Sequence, residues 1–274
     1  MNNDSGKFPL QRQGKILEML KTQESVTVRE LSEMLKVSLA TVRRDLERLQ
    51  KMGLLQRVHG GAVLKEKVAI EPDYSREKER FLPEKRAIAR IAAQLIENND
   101  VIFLESSTTV LQMVEFLKDK NNLTVITNSL DIAQELRDSH PDLFLIGGRW
   151  RRKTNSLVGP VADLSLSQMN FDKAFIGVSA LDFETGITTP SLEEAQTKKS
   201  IIKASNKVIA LCDHSKFGKK NFAFVAPLTS IDILITDNLA RREDIESLQR
   251  LGVQVMLAEV VGRKPEEETM TNLR

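Results

Sequence analysis

The stretch from Val37 to Ala62 constrains this chain more than any other. Ser38 is suited to cap a helix, since its hydroxyl can accept from a backbone N–H at the helix start. Val42, Leu46 and Leu49 then recur at spacings of four and three and so share one helix face. Arg44 and Arg48 lie on a different side, with Thr41 one turn before Arg44. Gly53 stands where a helix commonly stops, and Leu54 to Val58 is spaced to form a strand that Gly60-Gly61 turns back as a hairpin. Thr27 can cap a preceding helix carrying Leu31, Met34 and Leu35, and only Lys36 and Val37 separate that helix from Ser38. A third helix runs from Gln13 to Leu20 through Ile16, Leu17 and Leu20. Two short helices joined by a tight turn, the second basic near its start, predict a helix-turn-helix, and the hairpin would be its wing.

A chain of 274 residues is expected to form two domains, the second large enough for a substantial core. No run of 18 apolar residues exists, so no membrane span is expected, and Met1 to Leu10 lacks the apolar core of a signal peptide. One cysteine, Cys212, leaves no internal disulfide framework and fits a reducing cytoplasm. The net charge of +2 hides an asymmetry: residues 1–65 hold 12 Lys/Arg against 7 Asp/Glu, and the rest hold 28 against 31. The basic excess falls where phosphates of a nucleic acid would need neutralising.

The Arg43-Arg44-Asp45-Leu46 and His59-Gly60-Gly61-Ala62 elements, with Ser38, Thr41, Gly53 and Arg57, resemble the DNA-binding domain of the DeoR family of bacterial sugar-metabolism regulators. The resemblance implies double-stranded operator DNA as a partner. Thr41, Arg43 and Arg44 would stand near the start of the recognition helix, which Ser38 opens, where base edges are reached. Arg48, Arg57 and His59 are better placed for phosphates.

The winged helix is expected over 10–63, a linker over 64–83 with Pro72 and Pro83, an α/β domain over 84–258 and a disordered polar tail over 259–274. A helix within the linker, over Arg76 to Arg80, is the alternative. From Glu84 an amphipathic helix carries Ile88, Ile91, Ala92, Leu95 and Ile96. Strand-like runs at 101–104, 123–127, 143–146, 173–177, 208–212, 231–236 and 253–258 alternate with helical stretches near 108–118, 129–138, 158–169, 190–204 and 239–251. That alternation predicts a mostly parallel sheet covered on both faces, whose ligands sit beyond the carboxyl ends of the strands.

Glu105-Ser106-Ser107-Thr108-Thr109 follows the first such strand and opens a helix, so its hydroxyls and N–H groups can hold a phosphate or merely cap the helix. Asn128, after the second strand, can meet sugar hydroxyls or cap the next helix. Gly147-Gly148 and Gly159-Pro160 are close-approach points or simple turns. Glu194 and Lys198 make an i,i+4 pair of the kind usually found on a solvated face. Lys216, in Asp213 to Gly218, can reach an anion. Trp150 among Arg149, Arg151, Arg152 and Lys153 marks an interface, an anion patch or an exposed loop.

The Asp-x-Ser-Lys-Phe-Gly of Asp213 to Gly218, with Thr127-Asn128, Gly147-Gly148 and Gly177, again resembles the DeoR family, whose effector domain resembles the ribose-5-phosphate isomerase and glucosamine-6-phosphate deaminase fold. What the resemblance implies is a phosphorylated sugar bound at Ser106, Ser107, Thr108 and Thr109, with Asn128, Glu194, Lys198 and Lys216 nearby, in a homo-oligomer (dimer or tetramer) released from its operator by that effector. The family's loop usually begins with Asp and has Gly two residues later, where this chain has Glu105 and Ser107. Three histidines and one cysteine, widely spaced, form no metal set, and no nucleotide-binding glycine fingerprint occurs, so no cofactor and no enzyme activity are expected. The competing expectation is a sugar-phosphate isomerase or deaminase with an added DNA-binding domain, using Glu193, Glu194 or Asp213 as acid or base.

Overall fold

A computed structural model describes residues 9–22, 25–52, 54–58, 60–64, 71, 73–118 and 120–260. Gly53, His59 and the tail from residue 261 lie outside the described residues. The chain divides into two compact units, Met1–Lys67 and Val68–Arg274.

The first unit contains α1 (Pro9–Thr22), β1 (Ser25–Thr27), α2 (Val28–Leu35), α3 (Leu39–Lys51), β2 (Leu55–Val58) and β3 (Gly61–Leu64). Thr27 and Glu30 form a reciprocal capping box at the start of α2: Glu30 N–H donates to Thr27 Oγ1 at 3.1 Å and Thr27 N–H to Glu30 Oε2 at 2.8 Å. Ser38 caps α3 by accepting from the Thr41 N–H at 3.2 Å. Val42, Leu46 and Leu49 are buried with Ile16, Leu31 and Leu35, as their spacing requires. Met34, expected on the same face as Leu31, is 59% exposed, because the short helix turns it past the core. The wing pairs β3 with β2 and also with β1, a third strand too short to show a period in the sequence. Gly61 permits that pairing: a Cβ there would stand 2.1 Å from the Val26 carbonyl oxygen.

Asp45, the acid of the Arg-Arg-Asp-Leu element, points inward. It accepts from Arg12 Nη2 at 3.1 Å and from Gln13 Nε2 at 3.2 Å, and so ties α1 to α3 in a site where Arg12 and Asp45 are both buried. Removing one partner of a buried pair leaves a charge without compensation.

The second unit opens with α4 (Tyr74–Glu79) and α5 (Leu82–Gln94). The stretch 64–83 is therefore not a linker throughout. Its second half is helical, and Tyr74, Glu77 and Lys78 bond to later parts of the same unit. Seven strands form a wholly parallel sheet: β4 (Val101–Leu104), β5 (Thr124–Thr127), β6 (Asp142–Leu145), β9 (Phe171–Gly177), β12 (Ser205–Leu211), β14 (Ile233–Asp237) and β15 (Gln254–Ala258). Their spatial order is β15-β14-β12-β9-β4-β5-β6. One face packs on α5, a 3-10 helix (Val110–Phe116) and α6 (Leu130–Leu136), the other on α7 (Pro160–Leu166), α8 (Leu192–Lys203) and α9 (Arg242–Arg250). The strands read as nearly continuous apolar runs because both faces are covered.

The alternation did not foretell two antiparallel additions. One is the hairpin of β7 (Arg149–Arg151) and β8 (Ser156–Val158). The other is the small sheet of β10 (Ala180–Asp182), β11 (Gly186–Thr189) and β13 (Ala223–Ala226). Their strands are three or four residues long, too short for a period to stand out.

Chain order reverses between β4 and β9. From β4 the chain goes outward to β5 and β6, then returns to the other side of β4. The carboxyl ends of β4 and β9 thus flank the crevice where ligands of open parallel sheets bind.

Substituting Asp45→Ala is expected to destabilise the first unit by about 3–5 kcal/mol. Hydrogen exchange of the full chain checks this. Faster exchange is expected together in α1 and α3, with the second unit unchanged.

Candidate functional site

At the crevice the chain leaves β4 through Glu105. Its Oε2 accepts from the Gly177 N–H at 3.0 Å and from Lys198 Nζ at 3.1 Å, and Lys198 also donates to the Gly177 carbonyl. Glu105 and Lys198 are both buried. Burial drives the Glu105 pKa upward, against the opposing pull of the Lys198 charge and the Gly177 N–H. Lys198 is thus not on a solvated face, and its partner is Glu105 rather than Glu194. The Glu105 carboxylate thereby reaches β9.

Ser107 lies directly against Gly177, where a Cβ would meet Ser107 Oγ at 2.0 Å. Ser107 Oγ accepts from the Thr109 N–H at 3.2 Å, and the Ser107 carbonyl accepts from the Leu111 N–H at 2.9 Å. Ser106 N–H donates to Asn128 Oδ1 at 2.9 Å, while Ser106 Oγ donates to the Thr154 carbonyl at 3.1 Å. Asn128 Nδ2 in turn donates to the Leu157 carbonyl at 3.3 Å. Among the described residues, the N–H groups of Ser107 and Thr108 donate to no protein acceptor. Ser106, Ser107, Thr108, Thr109, Asn128 and Lys198 therefore meet at the ends of β4, β5 and β9. The helix that this loop opens begins at Val110 and is of the tighter 3-10 kind.

Glu194 joins from α8 and accepts from Thr189 Oγ1 at 3.2 Å. It lies 3.5 Å from Arg151 Nη1. Arg151, in β7, also donates to Thr154 Oγ1 at 3.3 Å and holds Glu71 through both Nη atoms, at 2.5 and 2.6 Å. Sequence left Arg151 in an ambiguous basic run; folding separates it from its neighbours, since Arg152 stacks on Trp150 and Arg149 pairs with Glu193. Tyr74 and Asp131 were not anticipated. Tyr74 Oη donates to Asp131 Oδ2 at 2.6 Å, and Asn155 Nδ2 donates to Asp131 Oδ1 at 2.9 Å. No local pattern could link groups so far apart in the chain.

Lys216 lies beyond β12, on the far side of β9 from the Ser106–Thr109 loop. Its Nζ donates to Glu77 Oε1 at 2.6 Å and lies 4.0 Å from Asp213 Oδ2. Asp213 accepts from the Ser215 N–H at 3.0 Å, whereas its buried Oδ2 has no hydrogen-bond partner among the described residues. Burial alone would raise the Asp213 pKa, but Lys216, Ser215 and Lys85 outweigh it and hold the carboxyl below its usual range. Helix α4 spans both clusters, with Tyr74 on Asp131 and Glu77 on Lys216.

In the first unit Arg43, Arg44, Arg48 and Arg57 are all exposed, and Thr41 is half-buried with its hydroxyl 2.9 Å from Ser38 Oγ. A groove of about 300 Å³ separates the starts of α2 and α3 from the wing, lined by Arg29, Leu39, Arg43, Arg57 and Gly60 among others. Arg29 was absent from the residues expected here, and its exposed ion pair with Glu33 at 3.1 Å is of a kind easily given up. His59 falls outside the described residues. Among the described residues no His, Cys, Asp and Glu group is arranged to hold a metal, and no helix is long and apolar enough to cross a membrane.

Two outcomes follow from this geometry. Lys198→Met is expected to cost about 3–5 kcal/mol by leaving Glu105 buried without its cation, whereas the joint Lys198→Met, Glu105→Gln change recovers part of that in denaturant unfolding. His214, whose Nδ1 lies 2.9 Å from Asp237, gives a pH effect. Burial lowers its pKa, but the hydrogen bond and charge of Asp237 outweigh this, so the pKa stands above its ordinary 6.5. The bonus is then full below pH 6.5 and fades as pH rises through the raised value. Melting temperatures between pH 6 and 8 should fall more steeply in the native chain than in His214→Asn.

The model of a DeoR-like helix-turn-helix domain matches residues 12–68, and that of a DeoR C terminal sensor domain matches residues 81–238. The chain is 36% identical over 249 residues to the HTH-type transcriptional regulator GlpR of Haloferax volcanii, covering 91% of this chain and 98% of that protein. It is 36% identical to the HTH-type transcriptional repressor GlcR of Bacillus subtilis, covering 89% and 94%, and 35% identical to the transcriptional repressor AccR of Agrobacterium fabrum, covering 84% and 90%. Among solved structures, ribose 5-phosphate isomerase from Plasmodium falciparum superposes with a TM-score of 0.36 and 18% identity, over 48% of this chain and 52% of that one, which is too partial a likeness to carry chemistry. Two family models in the expected order, and relatives alike over nearly their whole length, make this chain a DNA-binding transcriptional regulator of the DeoR family, not an enzyme.

Proposed function

We propose that the protein is a repressor of a carbohydrate-utilisation operon and leaves its operator when a phosphorylated sugar binds the second unit. The observation that carries this reading is the loop Ser106–Thr109 at the β4/β9 crevice. There hydroxyls neighbour the Ser107 and Thr108 N–H groups, which have no acceptor among the described residues, and the Ser106 N–H ties the loop to Asn128. N–H groups gathered at one point, with hydroxyls around them, bind a phosphate without a metal. The flanking Asn128 and Glu194 offer acceptors to sugar hydroxyls.

DNA reading falls to the winged helix over 10–63 and sensing to 84–258. Thr41, Arg43 and Arg44 read base edges; Arg48, Arg57 and His59 hold phosphates. One winged helix is a small reader, so a homo-oligomer on repeated half-sites supplies the affinity. The effector acts by binding DNA-competent and DNA-incompetent states unequally. The relatives named as repressors support this sign of control. Turnover of sugar phosphates is not favoured, since Glu193 is paired with Arg149, Glu194 with Thr189 and Arg151, and Asp213 with Ser215 and Lys216.

The test is binding to duplex DNA from upstream of the protein's own reading frame, at fixed salt, with sugar phosphates added one at a time. One compound is expected to release the protein. Ser107→Ala should blunt that release while leaving DNA affinity unchanged. Specific DNA binding that no sugar phosphate alters would contradict the proposal. On DNA alone, Arg44→Ala should cost about 1–3 kcal/mol on the specific site and relax one base preference. Arg48→Ala should weaken specific and unrelated duplexes alike and lower the salt slope by about one.

A further inference from the structure

At the carboxyl edge of the sheet Lys198, Arg151 and Lys216 each hold a carboxylate, but the pairs differ in origin. Lys198 holds Glu105, and both belong to the buried frame of β4, β9 and α8. Arg151 also lies 3.5 Å from Glu194 and Lys216 4.0 Å from Asp213, but their shorter pairs are with Glu71 and Glu77, both from the first residues of the second unit. The Arg151–Glu71 pair is bidentate, with side-chain exposures of only 13% and 8%. Arg151 also adjoins the loop assigned to phosphate: its Nη1 donates to Thr154 Oγ1 at 3.3 Å, and the Thr154 carbonyl accepts from Ser106 Oγ at 3.1 Å.

A guanidinium fork binds a carboxylate and a phosphate monoester through the same two parallel N–H bonds. Glu71 therefore occupies the place that a phosphate ester beside Ser106 would take. We propose that Glu71 is a displaceable internal counter-ion of Arg151: a phosphate monoester takes the Arg151 fork from Glu71, and the stretch from Glu71 into α4 loosens from the sheet edge. The proposal rests on the phosphate-sensing reading above and adds the route by which the site reports. Lys67 ends the first unit, and Glu71 follows four residues later. The hold on Glu71 thus acts on the piece of chain that joins the sensing unit to the DNA-reading unit. Glu77 on Lys216 at 2.6 Å is a second hold of the same kind, and Tyr74 on Asp131 lies between them in sequence. Because ligand must compete with a resident carboxylate, apparent affinity is reduced by the fraction of molecules in which Arg151 is free.

The chain carries its own reporters. Tyr74 is its one tyrosine and Trp150 its one tryptophan. A chain of hydrogen bonds runs from Tyr74 to Asp131, from Asp131 to Asn155 and from Asn155 to Trp150 Nε1, which donates at 2.9 Å. Tyrosine-to-tryptophan energy transfer therefore reads whether the stretch is docked. The experiment titrates the full chain with inorganic phosphate in a phosphate-free buffer. Phosphate should lower the transfer in the native chain. Glu71→Gln should move the midpoint about tenfold lower in phosphate by removing the competitor. Arg151→Lys, which keeps the charge but loses the fork, should bind far more weakly. Equal midpoints for the native chain and Glu71→Gln, or phosphate binding with unchanged transfer, would overturn the proposal. Sugar-phosphate release from DNA is scored separately. If release persists while Glu71→Gln leaves the midpoint unmoved, the counter-ion role alone falls. If no variant binds phosphate and no sugar phosphate releases DNA, both fall.

Discussion

The buried contact among Glu105, Lys198 and Gly177 is the constraint on which the second unit depends. It sits where the chain order reverses between β4 and β9, and it joins both strands to α8. Burying two charges is costly, and well-packed apolar groups often serve stability as well. The pair does something that apolar groups cannot. Glu105 accepts an N–H at the end of β9, Lys198 donates to a carbonyl there, and the two fix the direction in which the 105–109 loop leaves the sheet. Gly177 completes the arrangement, since any side chain there would collide with Ser107. The open N–H groups of Ser107 and Thr108 are a consequence of that loop path.

Much of this was legible in the sequence, for physical reasons that particular residues show. Thr27 and Ser38 cap helices through contacts three residues long, so a local pattern suffices. The apolar runs of β4, β5 and β14 announce buried parallel strands because both faces of the sheet are covered. The loop at Ser106 to Thr109 is legible as the turn between the first strand of the sheet and the helix after it. The rest was hidden because it depends on distance. Arg12 meets Asp45 across 33 residues, Glu71 meets Arg151 across 80, and Lys198 meets Glu105 across 93. Charge spacing within α8 pointed to Glu194 as the partner of Lys198, and only the sheet shows that the ammonium turns inward to Glu105. The segment around Tyr74 read as linker because its six-residue helix is too short for an apolar period and docks through polar groups instead.

Pairing between charges distant in sequence lets one chain carry two differently charged surfaces. In the first unit the inward acid Asp45 frees Arg43, Arg44 and Arg48 to face outward, since the core contact of α3 needs none of them. In the second unit Lys198, Arg151 and Lys216 are largely buried and matched by carboxylates. In the exchange proposed above, a phosphate that takes Arg151 from Glu71 couples its binding to movement of a segment close in sequence to the junction between the units.

The most direct test is hydrogen exchange of the full chain with and without the sugar phosphate that releases it from DNA. The account predicts slower exchange over residues 105–109 and in the hairpin of β7 and β8, with faster exchange over 73–80. Protection confined to another surface, such as the polar cavity lined by Arg86, Gln112, Lys118 and Gln134, with 105–109 unchanged, would contradict it.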